Sequence, residues 1–503
     1  MSEESVPPIS NIGFARWLWR QLTSMRTALI LLFLLAIASI PGSLFPQRTV
    51  DAVKVRNYIT ANPTTGPVLD RFGFFDVYGS PWFAAVYLLL FVSLIGCVLP
   101  RIAQHWRAMR TPPPVAPRNL SRLPDARAFA TDDPSVAVSR ARKYFKKHHW
   151  RIREGDDWIA AEKGYLRETG NLVFHLSLVV LLIAIAVGAL WGWKGNVIVR
   201  QGTGFSDTVT QYDAWGGGRF ADSSKLPPFA FTLDQFDVEF ERGNTQMGAP
   251  REFNASITVT PSPGAPSYPD TVEVNHPLSI DGVKAFLVGH GYAPRFIVKA
   301  PDGTVIFDDT VAFLPQDGNF TSSGVVKLPD VTPNLGIQGL FLPTAAVDMT
   351  MGPHSTFPAP DDPKVYMSVW AGDLGLNNGV PQSVYKLDTS NMKRVALEEL
   401  GPGETLTLED GTTITFADFT RYASFQIAYD PGTTLALSAA VLAIIGLLAS
   451  LFIKRRRAWV RVSGDGPGAT VEVAGLAKTD SGDLPDEVER LAQYVEHGTE
   501  RTE

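Results

Sequence analysis

Cysteine is almost missing from this chain: Cys97 is the one thiol in 503 residues. A single thiol cannot close an intrachain disulfide, form a Cys-x-x-Cys redox pair or build a thiolate zinc site. Any large polar domain must therefore be held by its own core. Cys97 falls in an apolar run and reads as a small buried hydrophobe. Histidine is scarce too, and His276, His290 and His354 stand far apart with no metal-ligand spacing. His-Glu-x-x-His, Gly-x-Ser-x-Gly and a phosphate-cradling glycine loop ahead of a helix are all absent. The run Ala214-Trp215-Gly216-Gly217-Gly218 reads as a turn. These absences remove most hydrolase, nucleotide-binding and self-contained metalloenzyme readings, and no catalytic residue is assigned. Charge is sparse at 19% of residues, and the mean hydropathy sits near zero, too high for an ordinary soluble chain.

What is present is four long apolar runs, 27–45, 82–100, 171–191 and 432–453. About 20 apolar residues at 1.5 Å rise each match the ~30 Å hydrocarbon core. The expected class is an integral membrane protein with four transmembrane helices. The first run also fits a signal-peptide core, with Ala36-Ile37-Ala38 resembling a cleavage site. Its long basic lead, and apolar character beyond that site, favour a retained span.

Basic residues stay on the cytoplasmic side. Arg16, Arg20 and Arg26 precede the first span, fifteen lysines and arginines lie between Arg101 and Arg167, and Lys454 to Arg457 follow the last span. The expected layout is a cytoplasmic N-terminus (1–26), an extracytoplasmic loop (46–81), a basic cytoplasmic loop (101–170), an extracytoplasmic domain (192–431) and a cytoplasmic tail (454–503). Nothing in this pattern points to nucleic acid. Within the basic loop, Val138, Ala141, Tyr144 and Phe145 follow helical spacing, which suits either a helix on an anionic leaflet or the face of a small domain. His148-His149 reads as part of that basic face. The tail after Ser463 is rich in Gly, Asp and Glu and is expected to be mostly disordered, with one short helix over 486–496.

Residues 192–431 alternate β-branched and aromatic residues between Gly, Pro, Asp and Asn turns, as in Phe229-Ala230-Phe231-Thr232-Leu233 and Ala255-Ser256-Ile257-Thr258-Val259. This predicts antiparallel sheet, in a sandwich or open barrel. Within it, His290 in Val288-Gly289-His290-Gly291-Tyr292 is the least ordinary histidine, because flanking glycines allow close approach. It reads as either a hydrogen-bonded loop residue or a ligand.

His175 carries the most information. It lies inside Leu172-Val173-Phe174-His175-Leu176-Ser177-Leu178, near one end of the third apolar run. An ionisable ring in lipid needs a partner, a cavity or a ligand, and imidazole is the commonest protein ligand of haem iron. The residue alone leaves open a helix-end histidine bonded to a neighbouring helix. Ser177, Ala184 and Gly188 fall opposite it, so that face is expected to pack on this chain's own helices and His175 to face a cavity or partner.

Several blocks taken together resemble the ResB (CcsB) family of cytochrome c biogenesis proteins of System II. They are Ser24-Met25-Arg26-Thr27-Ala28 through Ile40-Pro41-Gly42-Ser43-Leu44-Phe45-Pro46-Gln47, Asp76-Val77-Tyr78-Gly79-Ser80-Pro81-Trp82-Phe83, and Gly96-Cys97-Val98-Leu99-Pro100-Arg101. To these add His276-Pro277-Leu278, Gly289-His290-Gly291-Tyr292-Ala293-Pro294, Asp430-Pro431-Gly432 and Trp459-Val460-Arg461. The resemblance implies a bacterial plasma-membrane protein that acts with a ResC (CcsA) partner as a haem export and cytochrome c synthase complex, alongside thiol-reducing proteins of the pathway. Haem b is carried and presented to apocytochrome c for thioether attachment. The family's transmembrane haem-ligand histidine corresponds by position to His175. The tryptophan-rich haem-handling motif belongs to the partner, so this chain would be a non-autonomous subunit. The runner-up is an extracytoplasmic sensor or scaffold without cofactor. A transporter is disfavoured by the lack of inverted repeats or paired broken helices.

Overall fold

Nine helices run along the described part of the chain: α1 (Asn11–Leu22), α2 (Met25–Leu44), α3 (Ala52–Ala61), α4 (Gly66–Arg71), α5 (Pro81–Arg110), α6 (Pro134–Lys147), α7 (Leu166–Trp191), α8 (Thr433–Phe452) and α9 (Leu484–His497). The structure is a computed structural model that describes residues 11–48, 52–123, 125–350, 352–376, 384–477 and 483–499. The extreme residues of both expected termini lie outside these. Contacts divide the chain into two compact units, one of residues 1–185 with 433–503 and one of 186–432.

In the first unit, α2, α5, α7 and α8 are each long and apolar enough to cross a membrane. Their starts follow from local chemistry. Ser24 caps α2 by accepting from the Thr27 N–H at 3.2 Å, and Ser80 caps α5 ahead of Pro81, whose ring suits the first helical position. Between α2 and α5, Gln47 is buried. Its side-chain amide donates to the carbonyls of Phe45 and Phe74, and its oxygen accepts from the Val77 N–H, all at 3.0 Å. Around it pack the rings of Phe45, Tyr58, Phe74 and Phe75. These bonds tie the end of α2 to the segment that leads into α5.

The loop between α5 and α7 and the segment after α8 fold together. One antiparallel sheet runs in the order Asp125–Thr131, Ala469–Ala477, Arg456–Ser463, Trp158–Lys163, Arg151–Glu154. Helices α6 and α9 cover one face, burying Ala141, Phe145, Val488 and Leu491 against Val460, Val471 and Val473. Trp459 and Ala474 point the other way, onto Ala116 and Leu120. The expectation of a mostly disordered tail is therefore corrected over 456–477. Val471-Glu472-Val473 alternates as a strand, and the Gly464, Gly466 and Gly468 cluster is a hairpin turn whose glycines all take positive φ. The α6 stripe, left open between membrane and domain, belongs to this core.

The junction of this domain with α7 and α8 is ionic. Glu162, 1% exposed, accepts from Tyr165 Oη at 2.5 Å, Arg455 Nε at 2.7 Å and Arg457 Nε at 3.1 Å. Burial pushes its carboxyl up, but the Tyr165 hydroxyl and the two guanidinia outweigh burial and hold it below the usual range. Arg455 also pairs with Glu168 at 2.6 Å, and Arg456 with Glu487 at 2.5 Å. The basic run after α8 is thus largely neutralised by acids far away in sequence.

The second unit is all β apart from short 3-10 turns and the end of α7. Two 17-residue strands, Val283–Lys299 and Thr413–Tyr429, pair along their whole length. One half of this ribbon packs with the sheet of Gly204–Ser206, Ala230–Phe240, Pro250–Thr260 and Tyr268–Glu273, burying Phe231, Phe236, Ile257 and Phe425. The other half packs with the sheet built on Ser322–Leu328, Leu335–Leu342 and Lys364–Gly372, burying Phe296, Phe341, Val365 and Phe416. The expected antiparallel sandwich is present, as two cores joined by one ribbon.

Candidate haem site

The site is built from the membrane helices of the first unit. His175 sits on α7, and its Nδ1 lies 2.7 Å from the carbonyl oxygen of Asn171, one turn earlier. A carbonyl can only accept, so Nδ1 carries the proton and Nε2 is left with a lone pair. This arrangement, one ring nitrogen anchored to backbone and the other free, is how proteins orient imidazole as a metal ligand. Phe174 packs edge-on against the ring, with centroids 5.1 Å apart.

His175 lines a cleft of about 570 Å³ between α2, α5 and α7, within the usual size for small-molecule sites. Met25, Leu29 and Leu32 contribute from α2, Leu90, Leu94, Cys97 and Arg101 from α5, and Leu178 and Leu182 from α7. Apart from His175, Asn171, Cys97 and Arg101, the lining is apolar. On the opposite face of α7, Ser177 and Ala184 are buried. There α8 comes so close that a Cβ added to Gly446 would lie 2.6 Å from the Phe174 backbone nitrogen. Small residues set that crossing, and it fixes the backbone one residue before His175. Near the end of the cleft, His105 of α5 bonds Thr169 Oγ1 of α7 at 2.9 Å.

Cys97 lines the same cleft, which sequence reasoning did not foresee. Its thiol donates to the Thr23 carbonyl at 2.7 Å, and a Cβ on neighbouring Gly96 would lie 2.0 Å from Thr23 Cγ2. Gly96 and Cys97 of α5 thus hold the α1–α2 turn closely.

His290 lies elsewhere, in the second unit, just past a bulge at Val288. It stacks on Phe320 with centroids 4.5 Å apart and 24° between planes, with Phe236, Phe240 and Phe253 around it. Burial, with the nearby Arg421 charge, pushes its pKa down to about 4. Of its flanking glycines, Gly291 is the constrained one, since a Cβ there would lie 2.4 Å from Tyr422 Oη. His276 is exposed beside Glu273, and His354 Nδ1 is 3.0 Å from the Gly352 carbonyl. The structure brings neither to His290, and among the described residues no three His, Cys, Asp or Glu side chains form a metal-sized group.

Comparison with known proteins converges on one family. A sequence model described as the ResB-like family matches residues 25–489. The cytochrome c biogenesis protein CcsB of Synechococcus sp. (strain RCC307) is 26% identical over 480 residues, covering 93% of this chain and 94% of that protein. CcsB of Synechococcus sp. (strain WH7803) is 25% identical over 492 residues, with 95% and 98% covered, and CcsB of Gloeobacter violaceus is 23% identical over 467 residues, with 87% and 83% covered. The family model spans most of the chain, and this protein belongs to the ResB-like family.

Proposed function

We propose that this chain serves cytochrome c biogenesis by holding haem b in the membrane on His175 and passing it, with a CcsA-type partner, to apocytochrome c. Its relatives' names support the biogenesis role. The observation that carries the haem assignment is the free Nε2 of His175 in a cleft that offers it no protein partner among the described residues. Haem when bound supplies the iron and the vinyl groups that become thioethers. The residues here do simpler things. Asn171 holds the imidazole in the tautomer that presents Nε2. The leucines exclude water from the macrocycle, and the Gly446 crossing keeps α7 from rotating.

The distribution of basic residues supports a cytoplasmic small domain and an extracytoplasmic β unit. His175 then lies toward the cytoplasmic end of α7, where haem made inside is first captured. The β unit receives apocytochrome c, and the pathway's thiol reductants keep that substrate's cysteines reduced. His290 takes no coordinating part in this reading. A cofactor-free sensor or scaffold has no observation in its favour. The test is a His175→Ala strain producing the chain at normal level: haem recovered with the purified protein should fall, and c-type cytochromes should fail to accumulate. Normal cytochrome levels in that strain would refute the proposal.

A further inference from the structure

We propose that Arg101 anchors a carboxylate of the cleft's ligand, so that its guanidinium pairs with a propionate of the haem whose iron His175 ligates. This rests on the haem reading above and adds a recognition element to it.

Leu90, Leu94, Cys97 and Arg101 recur at three- and four-residue spacing and so form one stripe of α5. Arg101 is the first charged residue after the apolar stretch of that helix. A guanidinium cannot shed its proton, so it must find an acceptor at the edge of the lipid. Its contact is Met25 Sδ at 3.7 Å, a weak and uncharged acceptor. No carboxylate of the described residues pairs with it, in contrast to Arg455, Arg456 and Arg457 at the junction. Other arginines near the membrane boundary also lack an acid, but among the lining residues of this cleft Arg101 is the one that is permanently charged.

Its depth is right as well. The His105–Thr169 bond sets α5 and α7 at a common level. From there Arg101 lies four residues inward and His175 six, or about 6 and 9 Å at helical rise. The arginine backbone is thus about 3 Å nearer the boundary than the histidine, and its methylenes extend the charge further toward water. A ligand that fills this cleft needs an apolar body, a metal facing Nε2 and an anion at its boundary edge. A porphyrin dicarboxylate meets all three requirements. Bidentate pairing with a carboxylate is the geometry guanidinium favours.

The test titrates iron protoporphyrin and its dimethyl ester into the purified full chain in detergent, following the absorption spectrum. The wild type should bind the free acid roughly ten-fold tighter than the diester. Arg101→Gln should bind both equally, at the diester's wild-type affinity, and Arg101→Lys should recover part of the preference. Unchanged diester binding in Arg101→Gln shows that the cleft is intact. Equal weakening of acid and diester, or an unchanged preference, would overturn the anchor. If His175→Ala binds both porphyrins as the wild type does, the haem reading of the cleft fails instead, whatever Arg101 does.

Discussion

Replacing His290 with phenylalanine should reduce the stability that the β unit loses on acidification. The ring sits among Phe236, Phe240, Phe253 and Phe320 with its pKa pushed down to about 4, whereas an unfolded histidine titrates near 6.5. The folded state therefore disfavours the proton. His290 contributes stability that is fully present above pH 6.5 and is lost as pH falls toward 4. Over that window the loss amounts to about 3 kcal/mol, of which about 2 kcal/mol is gone by pH 5. Asp207 works in the opposite sense. Burial raises its carboxyl to about 6 against a hydrogen bond from Tyr212, so the folded state takes up that proton and gains stability on acidification. Asp207 is present in both proteins, so the comparison between them isolates the histidine. The assay is chemical unfolding of residues 192–431, followed by far-UV circular dichroism at pH 7 and pH 5. His290→Phe should lose about 2 kcal/mol less than wild type between the two. Equal losses would show that the ring is not buried as described.

Three further perturbations probe the membrane unit. Gly446→Val forces α7 and α8 apart, because the atoms it meets are Phe174 and Gly170 backbone; a loss of about 1–3 kcal/mol should appear as a lower melting temperature in detergent, together with less co-purifying haem. Glu162→Ala leaves Arg455 with Glu168 alone and Arg457 without its acid and should cost about 1–3 kcal/mol, read as protease sensitivity of the 111–165 loop. Cys97→Ser should leave cytochrome c maturation at the wild-type level, because a serine hydroxyl can make the same bond to the Thr23 carbonyl; loss of maturation at normal protein level would give the thiol a chemical role.

The four spans were legible because an apolar run of membrane length is a local signal, needing no knowledge of what packs beside it. The β unit was legible for a similar reason, since strands such as Ala255–Val259 alternate between core and surface and carry their own turns. The small domain was not. Its strand Arg456–Ser463 pairs with Trp158–Lys163, some 300 residues earlier, and its turn glycines and surface acids match the composition of a disordered tail. The alternation in Ala458-Trp459-Val460-Arg461-Val462 was the available clue. His175 stood out because an ionisable ring in lipid is anomalous by itself. That Cys97 and Arg101 share its cleft depended on how three helices meet, although their common stripe on α5 could have been read from spacing.

The central claim is that His175 Nε2 ligates haem iron, and a haem titration of the purified chain tests it most directly. Wild type should give a saturable shift of the haem absorption band. His175→Ala should lose it, and millimolar imidazole should restore it by filling the vacated axial position. A His175→Ala protein that gives the wild-type spectrum at the wild-type affinity, without imidazole, would contradict the account.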